Sequence, residues 1–523
     1  MRNLTLFLIF ILTLGTLVAW TALAPFLSSK PSDEDPLAHD LNPVIEKADA
    51  FFEKRWKDLD FEPATRAEDL QIYRRISLAL IGRIPSLEEI RLFEADTSPQ
   101  RIRRWTLHLI RDRQSSRYLS EQLSDALLTE QRFSYFQEHF RKWLADEIHR
   151  GRPYDELTRD LIATDGHLGS EPQTWFIRGE VQMGTEYQQR LAARTARFFL
   201  GQRIDCAQCH DHPFDYWKQS DFEGIAAFFG QIRPSHAGLH DNLNRRWTIE
   251  DRKIEPKLPF SKEWDKENGT FRKRLADWVT HQQNRRFRRA IVNRIWGVVF
   301  GRPFVTPVDG VPDPSPKGEE DETRILDLLG DDFQAHGYDL RRLVLVMTEL
   351  RVFRLDSRHP ALEDEKTADG VEEAWAVFPM SRLRPDQLAR SVFQSGSIKA
   401  MRRGSTIVSQ TRQWAKERRF IEEIGEESRE TIPQTLFRMN GRFTREVVRP
   451  RFWNASGRIV KSTSDAEQTL ETAYLVCLSR RPTREEKQHF LARLKDARGG
   501  QTQREVEDLF WALINSAEFS WNH

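Results

Sequence analysis

Apolar residues recur at helical spacing along almost the whole chain, and the alternation expected of strands is nearly absent. Ile45, Ala48, Phe51, Phe52 and Trp56 fall on one helical stripe, and Leu70, Tyr73, Ile76, Leu80 and Ile81 on another. Pro85-Ser86-Leu87-Glu88-Glu89 has the form of a stop followed by a capped start, with Ser86 as the cap and Glu89 three residues on. Further helices are expected over Leu107 to Leu128, Phe133 to Ile148, Leu157 to Ile162, Gln188 to Leu200, from Asp221, from Phe271 to Phe300, and over Ile325 to Phe333 and Leu340 to Leu350. A last helical block runs from Arg384 to the end. No strand–helix alternation builds a parallel sheet. There is no phosphate-binding glycine loop, no G-x-S-x-G elbow, no H-E-x-x-H helix and no repeat of solenoid period. The fold class is mainly α.

A chain of 523 residues is too long for one hydrophobic core. The expectation is two helical domains after an N-terminal transmembrane or signal helix. The segments are 1–29, a signal or anchor helix; 30–41, a polar linker; 42–230, a helical domain; 231–270, an irregular connector of loops or short strands; and 271–523, a second helical domain. Within the last, Pro307 to Asp321 must be a loop, and residues 356–370 read as another linker.

Asn3 to Ser29 carries no charge and is mostly apolar, long enough to cross a bilayer as a helix. Arg2 precedes it and acidic residues follow, which places the bulk outside the cytoplasm. Ala22-Leu23-Ala24 has the small-x-small form of a cleavage site, but Pro25 directly after it favours a retained anchor. The expectation is an exported chain, anchored in the inner membrane, with its bulk in the periplasm or cell envelope.

The 80 basic and 79 acidic residues leave a net charge of +1, which gives no support for a nucleic-acid partner. The run Arg285-Arg286-Phe287-Arg288-Arg289 reads as a solvated face or a local ion-pair network. Three cysteines do not make a disulfide framework. Cys477 lies in an apolar helical run and reads as a buried structural thiol.

The other two cysteines carry the chemistry. Cys206-Ala207-Gln208-Cys209-His210 is the C-x-x-C-H signature of c-type haem attachment: two thiols spaced to add across two vinyl groups, and a histidine placed to ligate the iron. Met183 is the thioether candidate for a sixth ligand, and His236 and His240 are imidazole alternatives. A second reading uses Cys206, Cys209, His210 and His212 as two sulfurs and two imidazoles for zinc or another divalent metal. In either case Asp211 and Asp215 could orient the ring N–H groups. A third reading is structural, with free thiols or a local disulfide bracing a turn. In His212-Pro213-Phe214-Asp215, the acid could orient His212 as a general base, but no nucleophile pairs with it, and a hydrogen-bonded turn before Trp217 is preferred. Whether the chain is an enzyme stays open.

Cys206 to Asp215, continuing through Trp217 and Asp221-Phe222, resembles the planctomycete cytochrome-like domain of unknown function. Arg74-Arg75-Ile76-Ser77-Leu78 with Gly82-Arg83-Ile84-Pro85 is similar to that family's opening helix, and Phe140-Arg141-Lys142-Trp143 with Arg152-Pro153-Tyr154-Asp155 to its middle motif. Val292-Asn293-Arg294-Ile295-Trp296, Pro307-Val308-Asp309, Ile432-Pro433-Gln434 and Trp511-Ala512-Leu513-Ile514 resemble the partner domain usually fused behind it, also of unknown function. The resemblance implies a cell-envelope setting and a cytochrome-like role. With the motif, it predicts electron transfer or redox sensing with a redox or envelope protein partner. The rival is an envelope scaffold that binds protein or glycan.

Overall fold

Phe287, Ala290, Ile291, Ile295, Trp296, Val299 and Phe300 are all buried along the helix Arg285–Phe300. It is capped by the Asn284 side chain and ended by Gly301 in the left-handed region. Around it pack the helices Asp69–Ile81, Arg324–Ala335 and Leu340–Glu349. The computed structural model describes residues 36–128, 135–167, 170–213, 216–235, 238–316, 322–401, 417–422, 439–462 and 465–523. The chain divides at Asn42, and residues 43–523 form one compact unit. The expected signal or anchor helix of residues 1–29 lies outside the described residues, as do Phe214, Asp215 and His236. Among the described residues no helix is long and apolar enough to cross a membrane.

The architecture is mainly helical, as the periodicity implies. Ser86 accepts from the Glu89 amide and Glu89 reaches back to the Ser86 amide, so the capping box starts the helix Leu87–Ala95. Among the described residues, strand is confined to three short antiparallel pairs. Two of them, 232–235 with 238–241 and 247–249 with 252–254, fall in the stretch expected to hold loops or short strands. The third joins 381–382 to 521–522.

Two local expectations need correction. The linker expected over 356–370 contains a 3-10 turn, Pro360–Glu363, and the start of the helix Glu365–Glu373. Asp364 caps that helix through the Lys366 amide, and Val371 buries the one apolar side it has. The single stripe expected on Asp69–Ile81 is instead burial all round: every residue from Ile72 to Ile81 is buried, Arg74 and Arg75 included.

Those two arginines join sequence-distant parts of the core. Arg75 donates to the carbonyls of Phe353 (3.0 Å) and Leu355 (2.6 Å), to Ser357 Oγ (3.3 Å) and to the His523 carbonyl (2.7 Å). Arg74 donates to the carbonyls of Cys477 (3.3 Å) and Phe519 (3.1 Å). Buried cations with acceptors on nearly every side are architecture rather than surface. The run Arg285–Arg289 is an ion-pair network: Arg285 pairs with Asp327 (2.5 Å), Arg286 with Asp313 (2.7 Å) and Arg288 with Asp331 (2.9 Å).

Candidate site at Cys206–His210

The approach to the cysteines is an abrupt change of helix. The helix Tyr187–Thr195 passes into a single π turn, Ala196–Leu200, which ends at Gly201 with φ +67°. Such π turns cluster at functional sites. The exit is held from a segment about 100 residues away. The Val311 amide donates to the Gly201 carbonyl (2.9 Å), Gln202 Nε2 donates to the Val311 carbonyl (2.6 Å), and Arg203 pairs with Asp309 (2.6 Å).

Asp205–Gln208 then forms one 3-10 turn. Three residues per turn place positions three apart on the same side. Ile204 and Ala207 accordingly point inward, into an apolar cluster with Ala192, Ala196, Trp217, Phe222, Ile225 and Ala226. Cys206 and Cys209 share the outer side: both are exposed and both thiols are free. The third cysteine is the opposite case. Cys477 is fully buried, and burial pushes its thiol well up, as suits an inert structural group.

His210 follows, also exposed. Its Nδ1 lies 2.7 Å from the Asp211 carbonyl oxygen. A carbonyl can only accept, so Nδ1 carries the hydrogen and the lone pair of the neutral ring is on Nε2. A backbone carbonyl on the far nitrogen is the usual orienting partner of a metal-ligating histidine. Asp211 thus meets His210 through its backbone, while its carboxylate accepts from the Gln219 amide (2.9 Å) at the start of the helix Gln219–Ala227. The His212 amide donates to the Trp217 carbonyl (2.8 Å). Trp217 is fully buried beneath the turn, with the half-exposed Tyr216 stacked on it at 5.1 Å.

The remaining candidates sit elsewhere. Met183 ends the helix Trp175–Gln182 and is 51 % exposed. His240 is exposed on the strand Gly238–Asp241. Among the described residues no group of three or more His, Cys, Asp and Glu is gathered as a metal site. The residues of the turn fit the donor set of a c-type haem. Two free outward thiols stand one turn apart, and beside them is an imidazole whose Nε2 is free of its own backbone. Sequence reasoning missed the braces: Asp309 and Val311 come from the C-terminal half, and spacing within the motif carries no trace of them.

Two family models match the chain. Residues 47–234 match PSCyt2, a protein of unknown function (DUF1549), and residues 271–426 match PSD1, a protein of unknown function (DUF1553). The Cys206–His210 turn lies in the first range, and its braces Asp309 and Val311 in the second. Residues 427–523 lie beyond both matches. No curated protein and no solved structure matches. The chain thus carries, in N- to C-terminal order, one segment similar to each of two families of unknown function.

Proposed function

We propose that Cys206, Cys209 and His210 hold one covalently attached c-type haem, and that the protein serves electron transfer or redox sensing at the cell envelope. The observation that carries this reading is the single 3-10 turn with two free exposed thiols, followed by an imidazole whose Nδ1–H is spent on the Asp211 carbonyl. Cys206 and Cys209 would hold the group through two thioethers, each formed by adding one S–H across a vinyl double bond with no leaving group, and His210 would offer Nε2 to the iron. When bound, the haem supplies one-electron exchange between ferrous and ferric iron.

The chain's own residues do the positioning. Ala207 and Ile204 anchor the turn in the apolar cluster below it. Asp211 fixes the His210 ring plane through its carbonyl and ties the turn to the next helix through its carboxylate. Gly201 and Gln202, held by Val311, fix the level of the turn. With both thiols at the surface, the group would meet a protein partner directly. The apolar stretch from Asn3 to Ser29 supports export and a membrane anchor, the compartment in which attachment of this kind takes place.

Intact-mass measurement on protein from its natural host tests the reading, together with a pyridine haemochrome spectrum after acid–acetone extraction. The expected result is one haem mass, retained through extraction and absent from Cys206→Ser/Cys209→Ser. Both cysteines unmodified in that material would overturn it.

A further inference from the structure

A second surface, on the C-terminal half, is built to be exposed. The loop between the helices Arg442–Val448 and Ala455–Ser462 carries Phe452 and Trp453, 68 % and 55 % exposed. The loop is not a loose tip. Asn454, almost fully buried, accepts at Oδ1 from the amides of Arg451 (2.9 Å) and Gly457 (3.0 Å) and donates from Nδ2 to the carbonyls of Arg449 (2.7 Å) and Val447 (3.2 Å). The Ala455 amide donates to the Gly396 carbonyl (2.9 Å). Gly457 lies so close that a Cβ there would collide with the Arg451 carbonyl. Five hydrogen bonds and a glycine contact thus hold two large apolar side chains out in water. Exposure of that kind has a cost in solubility, and a paired, rigidly held instance marks an interaction site.

The surrounding charge points to the partner. Residues 442–461 contain six Arg or Lys and one acid, Glu446, in a chain whose total is 80 against 79. Arg449, Arg458 and Lys461 are exposed, and among the described residues none of them, nor Arg451, is in an ion pair. The surface therefore suits a polyanion. The ring geometry selects which. Phe452 and Trp453 stand edge to face, centroids 4.5 Å apart and planes at 85°. Arg451 sits over the Trp453 ring at 5.3 Å and Lys461 over the Phe452 ring at 6.0 Å. A sugar or a nucleobase stacks on an open, flat ring face, and here each ring has a cation over a face and the two rings cross. A crossed aromatic wedge with cations at its base matches a bilayer boundary, where the rings enter the headgroup layer and Arg and Lys reach the phosphates.

We propose that the Phe452–Trp453 loop is a membrane-contact site that enters the interface of a bilayer rich in anionic phospholipid. It is independent of the haem reading and of the N-terminal anchor. It gives the C-terminal half a fixed face toward the lipid.

Photolabelling of the full chain tests it. The protein is incubated with phosphatidylcholine vesicles, or with vesicles of equal parts phosphatidylcholine and phosphatidylglycerol, each carrying a trace of phospholipid with a photoactivatable acyl chain. Labelled peptides are read by mass spectrometry. The peptide containing Phe452 and Trp453 is expected to label about tenfold more with phosphatidylglycerol present, since each basic residue adds to the attraction. That label is expected to vanish in Phe452→Ser/Trp453→Ser and in Arg449→Glu/Arg458→Glu, all surface changes that leave the fold intact. Label on the peptide of residues 3–29 reports vesicle association separately. An unlabelled 449–458 segment overturns the proposal, as does equal labelling with and without phosphatidylglycerol. Protection of that segment by dextran sulfate but not by vesicles would overturn it in favour of an acidic glycan.

Discussion

The helix Asp69–Ile81 and the turn Cys206–His210 lie in the same family match and use their polar side chains in opposite ways. Arg74 and Arg75 are buried, and Arg75 places all three guanidinium nitrogens on acceptors from residues some 280 to 450 positions away. Cys206, Cys209 and His210 are exposed, and what is buried is the support beneath them: Ala207, Ile204 and Trp217. The same division separates the cysteines from one another, since Cys477 is buried against the architecture and the other two stand clear of it. A polar group enclosed with its partners maintains the fold. A reactive group held outward by a buried scaffold is available for chemistry.

The comparison breaks most visibly if the buried arginine is dispensable. Arg75→Met removes donors from the carbonyls of Phe353 and Leu355 and from Ser357, leaving them buried and unpaired. The expected loss is about 3–5 kcal/mol, the usual cost of deleting one partner from a buried charged network. Urea denaturation measures it, and a loss under about 1 kcal/mol would remove the architectural role argued for this helix.

A second handle on the same buried side is pH. Burial raises the Glu518 carboxyl, but its bidentate pairing with Arg480 (2.6 Å on each oxygen), helped by His523, outweighs burial and holds it at about 2 against an ordinary 4.5. A depressed carboxyl stabilises the fold above its unfolded value and loses that contribution as pH falls through the folded one. About 2 kcal/mol, discounted for the quarter of the side chain that is exposed, should therefore be present at pH 7 and vanish between about pH 4.5 and 2. Glu518→Gln should flatten that acid limb in melting curves at neutral and acid pH; an unchanged limb would show that other carboxylates carry it.

Much of this was legible beforehand, and the illegible part has a physical cause. Helices announce themselves because burying one face imposes a 3.6-residue period, and the Ser86–Glu89 box marks its own start. The Cys206–His210 signature is legible because two cysteines and a histidine within five residues form a local pattern. Contacts across hundreds of residues leave no local period. Nothing in the sequence places the carbonyls of 353, 355, 477 and 519 beside Arg74 and Arg75. The helix Glu365–Glu373 escaped because only a narrow apolar side touches the core. The Val311 brace escaped because it acts through backbone atoms, which every residue has.

That brace gives the next test. Gly201 sits at φ +67°, and a Cβ there would lie 3.1 Å from Val311 and 3.3 Å from Ala290. Gly201→Ala should cost about 1–2 kcal/mol from the left-handed backbone alone. It should also lower the haem content of matured protein, because the Cys206 turn hangs from this residue. Stability lost with haem content unchanged would show that the attachment turn does not depend on its brace.

The smallest expected effect on stability separates the two kinds of polar group most sharply. Cys206→Ser/Cys209→Ser changes two exposed side chains that contribute nothing to the apolar cluster, which is built from Ile204 and Ala207 instead. Measured on haem-free protein, the double change should move stability by no more than about 0.5 kcal/mol, the range for surface positions. Cys477→Ser is its counterpart: it puts a hydroxyl into a fully buried apolar site at a cost of about 1–3 kcal/mol while leaving any mass added at Cys206 and Cys209 unchanged. Native alkylation should follow the same line, modifying Cys206 and Cys209 while burial keeps Cys477 a thiol out of reach. If the outer pair proves as costly to replace as Cys477, their sulfurs are holding the fold, and the turn is a structural knot rather than a point of attachment.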